Sequence, residues 1–207
     1  MEGLIMESSF DTPLHLISDF KDTLKTFDIQ TRLGSTQTQI TYEFINEQNI
    51  ATFQDEFSAL ANLSETPMMK WIHSKGAKGK LDSGGEILFE ILVEIYKKIE
   101  NLERLIKKEE HTLPLLANTA RLAFIGHNVL CLKEGEKFAN MGDIYVRMFL
   151  PIFPERDIGI FAKVIHSQIA HIQKLHLRDS RGFDTFVVEC ERAMILDTKS
   201  NEIKDRV

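Results

Sequence analysis

Residues 142–166 read GDIYVRMFLPIFPERDIGIFAKVIH, two runs of alternating side chains on either side of a two-proline corner. Ile144, Val146, Met148 and Leu150 fall on one face of the first run, and Ile158, Ile160, Ala162 and Val164 on one face of the second. A period of two is what a strand imposes, because successive side chains point to opposite faces. Pro151 and Pro154 lack backbone donors and the intervening stretch through Asp157 turns polar, so one strand ends there before the next begins.

The alternation extends both ways. It predicts further strands at 119–124, 129–133, 172–177 and 183–191, with turn signals at 126–128, 135, 140–143 and 179–182. Six short strands with regular punctuation predict a small antiparallel barrel or sandwich, followed by a short helix over 197–206 with Leu196 and Ile203 inward.

Upstream the period changes. In LFEILVEIYKKIENLERLIKK, residues 88–108, Leu92, Ile99 and Ile106 take heptad position a, and Leu88, Ile95 and Leu102 take position d. Glu94–Lys98, Glu100–Arg104 and Glu103–Lys107 are i,i+4 pairs in the favourable order, and Lys107 and Lys108 suit the negative end of the helix dipole. Phe89, Ile91, Tyr96 and Leu105 at e and g broaden the seam, which favours three or four helices over two. Two readings follow: a homo-oligomer, with tetramer or trimer favoured over dimer, or a broad face packed on the same chain.

The first 83 residues read as helical. Residues 1–11 form a loose tail, and Thr12-Pro13 is a helix start followed by Leu14, Ile17, Phe20, Leu24 and Phe27 at helical spacing. A second helix is predicted over 36–63, with Ile40, Phe44, Phe53, Phe57 and Leu60 on its apolar face and a break near 46–50. SKGAKGKLDSGG, residues 74–85, is a flexible loop. The expected class is therefore α+β: a helical N-terminal region over 1–83, a heptad helix over 84–112, and a barrel with a terminal helix over 113–207.

At 43% apolar, 27% charged and a net charge of −6, the chain has the composition of a globular protein and argues against general nucleic-acid binding. No apolar run reaches membrane-span length, the N-terminus lacks the basic flank of a signal peptide, and a cytoplasmic location is expected. Cys131 and Cys190 lie in apolar runs and read as two buried thiols. His166, His171 and His176 recur every five residues, a spacing that does not converge on one metal in a helix or a strand. No HExxH, CxxC, P-loop or GxSxG pattern occurs, so no catalytic residue, metal or cofactor is expected. Phe149, Phe153 and Phe161 cluster around the proline corner, where an exposed Ile152-Phe153 tip is a candidate docking spot.

The run VLCLKEGEKFANMGDIYVRMFLPIFPERDIGIFAKVIHS, closed by FDTFVVECERAMILDTKSNEIKDRV, resembles the PilZ domain, a six-stranded barrel that serves bacteria as a receptor for cyclic di-GMP. The preceding heptad helix is similar to that of atypical PilZ proteins, which tetramerise through such helices. The resemblance covers about residues 84–207. It implies an Arg-x-x-x-Arg segment ahead of the first strand and an Asp/Asn-x-Ser-x-x-Gly turn as the ligand grip. The nearest basic segment is 104–108, with Arg104 and Lys108 on helix positions, and residues 123–128 keep none of the three signature positions. The family's usual site is therefore not expected to work. What remains is a non-enzymatic regulatory or scaffold protein, acting through oligomerisation and protein contacts in motility or second-messenger signalling. The alternative is a cyclic di-GMP sensor using a non-standard site, with Arg104, Lys108, Arg121, Arg178 and Arg181 as candidate nucleotide contacts.

Overall fold

The computed structural model describes residues 14–63, 113–152 and 155–204, together with Ile95, Lys98, Ile99 and Leu102. Six strands form a closed antiparallel barrel. They are β2 (Gln39–Phe44), β3 (Asn118–Gly126), β4 (Val129–Leu132), β5 (Gly142–Leu150), β6 (Arg156–His166) and β7 (Ile169–Leu175). The order round the barrel is β3-β2-β5-β6-β7-β4, and β4 pairs back onto β3. A two-residue strand β1 (Gly34–Ser35) adds to the far end of β3, with Gly34 opposite Ile125. Closure leaves these strands without a long unpaired edge.

The alternation at 142–166 has the consequence expected of it. Ile144, Val146, Met148, Leu150, Ile158, Ile160, Ala162 and Val164 all enter one interior cluster, each at most 2% exposed. β5 and β6 pair from Gly142↔Val164 to Leu150↔Arg156.

Two expectations are corrected. The segment 36–63 is not one helix: residues 39–44 are barrel strand β2, and helix α2 spans Ile50–Leu63. Ile40 and Tyr42 point inward from a run rich in β-branched and aromatic residues, where alternation outranks the wider helical spacing. Asn46 and Asn49 then stop the strand and cap the helix. Asn46 Oδ1 accepts the backbone N–H groups of Gln48 and Asn49 at 2.9 and 3.0 Å, and Asn49 Oδ1 accepts that of Asn46 at 2.8 Å.

The second correction concerns 183–191, expected as the sixth strand. It lies within helix α3, Leu177–Lys204, which also replaces the short helix expected at 197–206. Phe183, Phe186, Val187 and Cys190 follow helical spacing and join the interior cluster. The sixth barrel strand is β2, from the N-terminal side. His176 starts α3 by accepting the Arg178 backbone N–H on Nδ1 at 3.2 Å, so the turn expected at 179–182 is the helix's first turns.

Helix α1, Leu14–Thr26, falls where its spacing predicts. Phe20 and Leu24 cover Phe124, Val129, Cys131 and Ile169 on the barrel's outer side. It ends in a Schellman motif: Ile29 N–H donates to Leu24 O and Asp28 N–H to Lys25 O, both at 3.1 Å, with Asp28 left-handed at φ 56°. Cys131 and Cys190 are buried free thiols, as expected. Among the described residues no helix is long and apolar enough to cross a membrane.

Most of the heptad stretch lies outside the described residues, as do the 1–11 tail, the 74–85 loop, Phe153, Leu88, Leu92, Ile106, Arg104 and Lys108. Ile95, Lys98, Ile99 and Leu102 are described, and all four are helical.

Candidate functional site

Residues 45–117 form one long excursion between β2 and β3, which are neighbours in the barrel: Thr41 pairs with Thr119 and Tyr42 with Asn118. The excursion is rooted on the outer face of β5. Even-numbered residues of β5 point inward, leaving Tyr145, Arg147 and Phe149 outside. Arg147 holds Glu56 of α2 in a two-point pair, Nε to Oε1 at 2.7 Å and Nη2 to Oε2 at 2.8 Å. The same Nη2 donates to Pro114 O at 2.8 Å. One guanidinium thus grips the departing helix and the returning chain, 58 residues apart.

The pair is deeply placed, with side-chain exposures of 16% for Arg147 and 2% for Glu56. The Tyr145 hydroxyl donates to Glu56 Oε1 at 3.1 Å. Burial, and then the Glu56 charge, push the Tyr145 phenol far above the ordinary tyrosine range. Burial alone would lower Arg147, but the hydrogen bonds and charge of Glu56 outweigh it, and its pKa is raised. Gly159 makes the arrangement possible, because a Cβ there would overlap the Tyr145 hydroxyl and ring.

Aromatic packing completes the root. Phe53 stacks on Tyr145 with centroids 4.9 Å apart and planes at 9°, and Phe57 meets Phe161 edge-on at 5.2 Å. Phe53 and Phe57 are each 4% exposed. Burying each contributes on the order of 1.5–3 kcal/mol. Beyond Phe57 sit the His176 ring at 5.5 Å and Lys174, whose Nζ lies 5.1 Å from the Phe57 centroid.

Beside this root, at the N-terminal end of α2, a groove of about 350 Å³ opens on the outer face of β5, β6 and β7. Ile45, Ile50, Phe161 and Ala162 form its apolar part, and Gln54, Asp143, Gln173 and Lys174 its polar part. These residues are too far apart in sequence for any local pattern to join them.

Arg121 is exposed on β3 opposite Gln39, and Arg178 and Arg181 are exposed in the first turns of α3. Of the candidate nucleotide contacts among the described residues, Arg121 therefore stands on a different element from Arg178 and Arg181. His166 and His171 lie on β6 and β7 and His176 just before α3, all half-buried, and among the described residues no group of three or more His, Cys, Asp or Glu could hold a metal ion. Ile152 is not an exposed tip: it is half-buried and packs against the interior cluster.

With β1 and β2 as the first strands, the segment ahead of them is 27–33, which holds one arginine, Arg32. That segment crosses the β3–β4 turn so closely that a Cβ on Gly126 would lie 2.7 Å from Arg32 O. In the turn, His127 Nδ1 meets Asp184 Oδ1 of α3 at 2.7 Å, and Asn128 Oδ1 is buried with no hydrogen-bond partner. No family model, curated protein or solved structure matches this chain.

Proposed function

We propose that this chain is a non-enzymatic bacterial regulatory or scaffold protein with an atypical PilZ-like barrel. It works in the cytoplasm, in motility or second-messenger signalling, by assembling through the 88–106 seam and contacting other proteins. One observation carries the reading. Ile95, Ile99 and Leu102 stand at i, i+4 and i+7 in helical residues, yet are 48%, 51% and 57% exposed. Three large apolar side chains at that spacing lie along one side of a helix and leave a stripe for another helix to cover. A second copy of the chain is the fitting occupant, since the stripe continues the heptad pattern of its own sequence. Assembly would bring several barrels together, so weak sites on each would act with avidity.

The test is the molar mass in solution. Light scattering is expected to give three or four times the 23.8 kDa of one chain. Ile95→Asp with Ile99→Asp is expected to return it to one chain while the far-ultraviolet spectrum keeps its strand signal. A wild-type mass near one chain would overturn the reading, and loss of the barrel in the double variant would place the seam inside the chain's own core.

A second reading, a cyclic di-GMP sensor at a non-standard site, draws support from the crossing at the β3–β4 turn. Exposed Arg32, His127 and the unpartnered Asn128 Oδ1 belong to two segments that meet there. Calorimetric titration separates the readings, since saturable binding abolished by Arg32→Ala would favour the sensor.

A further inference from the structure

The groove beside α2 carries two charges with no ionic partner among the described residues, Asp143 and Lys174, the latter with Nζ over the Phe57 ring. Asp143 faces Lys163 across the β5–β6 pair, yet neither Asp143 nor Lys174 makes a salt bridge among the described residues. Both residues are exposed and line the groove together with the apolar Ile45, Ile50, Phe161 and Ala162. Phe161 pairs with Tyr145 on one side and Lys174 on the other, which puts Lys174 two strands from β5 and two residues along from Asp143. At about 4.8 Å per strand and 3.4 Å per residue, their backbones are roughly 12 Å apart.

The walls are fixed in advance. Phe161 is clamped between Phe57 and Tyr145, with centroids 5.2 Å away on both sides, and α2 is tied down by Glu56 and Arg147. A partner segment would therefore spend little of its binding energy on ordering the site. The Gln54 and Gln173 carboxamides each offer a donor and an acceptor at the rim, the complement of a peptide backbone.

We propose that this groove docks an extended segment of a partner protein. The segment carries a basic residue over Asp143, an acidic residue over Lys174, and an apolar side chain between them against Ile45, Ile50 and Phe161. An extended chain advances about 3.3 Å per residue, so the two charges stand roughly three or four positions apart. The inference rests on the protein-contact reading above and names the partner's chemistry.

A phage-displayed library of random dodecapeptides panned on the full chain tests it, followed by fluorescence anisotropy with an enriched peptide. Enrichment of opposite charges three or four positions apart around an apolar residue is expected. Lys174→Glu is expected to weaken that peptide roughly tenfold, and a peptide with its acid changed to lysine to regain the loss. Ile50→Arg, at a site 39% exposed in the wild type, is expected to block binding with the circular dichroism unchanged. The Ile95→Asp, Ile99→Asp variant is expected to bind the soluble peptide as tightly as wild type, which separates failure of the groove from failure of the assembly. No enrichment, enrichment without opposed charges, or a peptide indifferent to Lys174→Glu and Ile50→Arg overturns the proposal.

Discussion

Replacing Arg147 by methionine should be among the most damaging single changes outside the barrel interior. It removes both hydrogen bonds to Glu56 and the one to Pro114 O, leaving a buried carboxylate, its side chain 2% exposed, with the Tyr145 hydroxyl as its remaining described partner. An uncompensated buried charge costs about 3–5 kcal/mol, against a total stability on the order of 5–15 kcal/mol for a domain. For a chain of this size that lowers the melting temperature by roughly 6–20 °C. The loss is not the worth of the pair, because both charges were desolvated to form it. Glu56→Leu in the same molecule should therefore recover most of the stability, and Tyr145→Phe should recover more by removing a hydroxyl left without its acceptor. Urea unfolding followed by far- and near-ultraviolet circular dichroism gives the free energies and tests two-state behaviour. Two results would refute the reasoning: a cost below about 1 kcal/mol for Arg147→Met, or a double variant that loses the sum of its two singles.

Alkaline stability and the end of α1 give two further tests. Burial pushes the Cys131 thiol from 9.0 up to about 12, and Tyr42 and Cys190 are also raised, chiefly by burial. The unfolded chain releases these protons first, so the stability they confer is intact below pH 9 and falls as pH rises through the folded values. Between pH 9 and 11 Cys131 should account for a loss on the order of 2 kcal/mol, and urea unfolding of Cys131→Ala should show a correspondingly flatter alkaline limb. Asp28→Gly relieves a left-handed residue in the Schellman turn and should raise stability by about 0.5–1 kcal/mol in the same assay; an unchanged midpoint would show that Asp28 bears no strain.

The strand half was legible where side chains alternate over several residues, because a closed barrel sorts them into interior and exterior without exception from Ile144 to Leu150. β2 reads as helix because Ile40 and Phe44, four apart, match the helical spacing of Phe53, Phe57 and Leu60 beyond the Asn46–Asn49 cap, although the two sets are out of phase. The cap itself was the signal, since two asparagines that bond each other's backbone end one element and begin another. Alternation over 183–191 predicts a strand, but Phe183, Phe186, Val187 and Cys190 pack into the barrel at helical spacing. The Arg147–Glu56 pair could not be read at all. Its partners are 91 residues apart, and nothing local marks either as buried.

That pair also separates what the excursion does for the barrel from what it leaves for partners. Joining β2 to β3 by a short turn would satisfy the ladder, because the two strands are already paired neighbours. Loop closure grows slowly with length, so a long insertion there costs the barrel little. Yet α2 is not dispensable, because Phe53 and Phe57 cover Tyr145 and Phe161, and Glu56 neutralises Arg147 on the outer wall. The excursion's first turns are thus part of the barrel's cover, while Ile95, Ile99 and Leu102 are at least 48% exposed. Substitutions at the root should act on folding, and substitutions at the seam on assembly. A seam variant that remains folded but monomeric, beside a root variant that loses stability, is the pattern this division of labour requires.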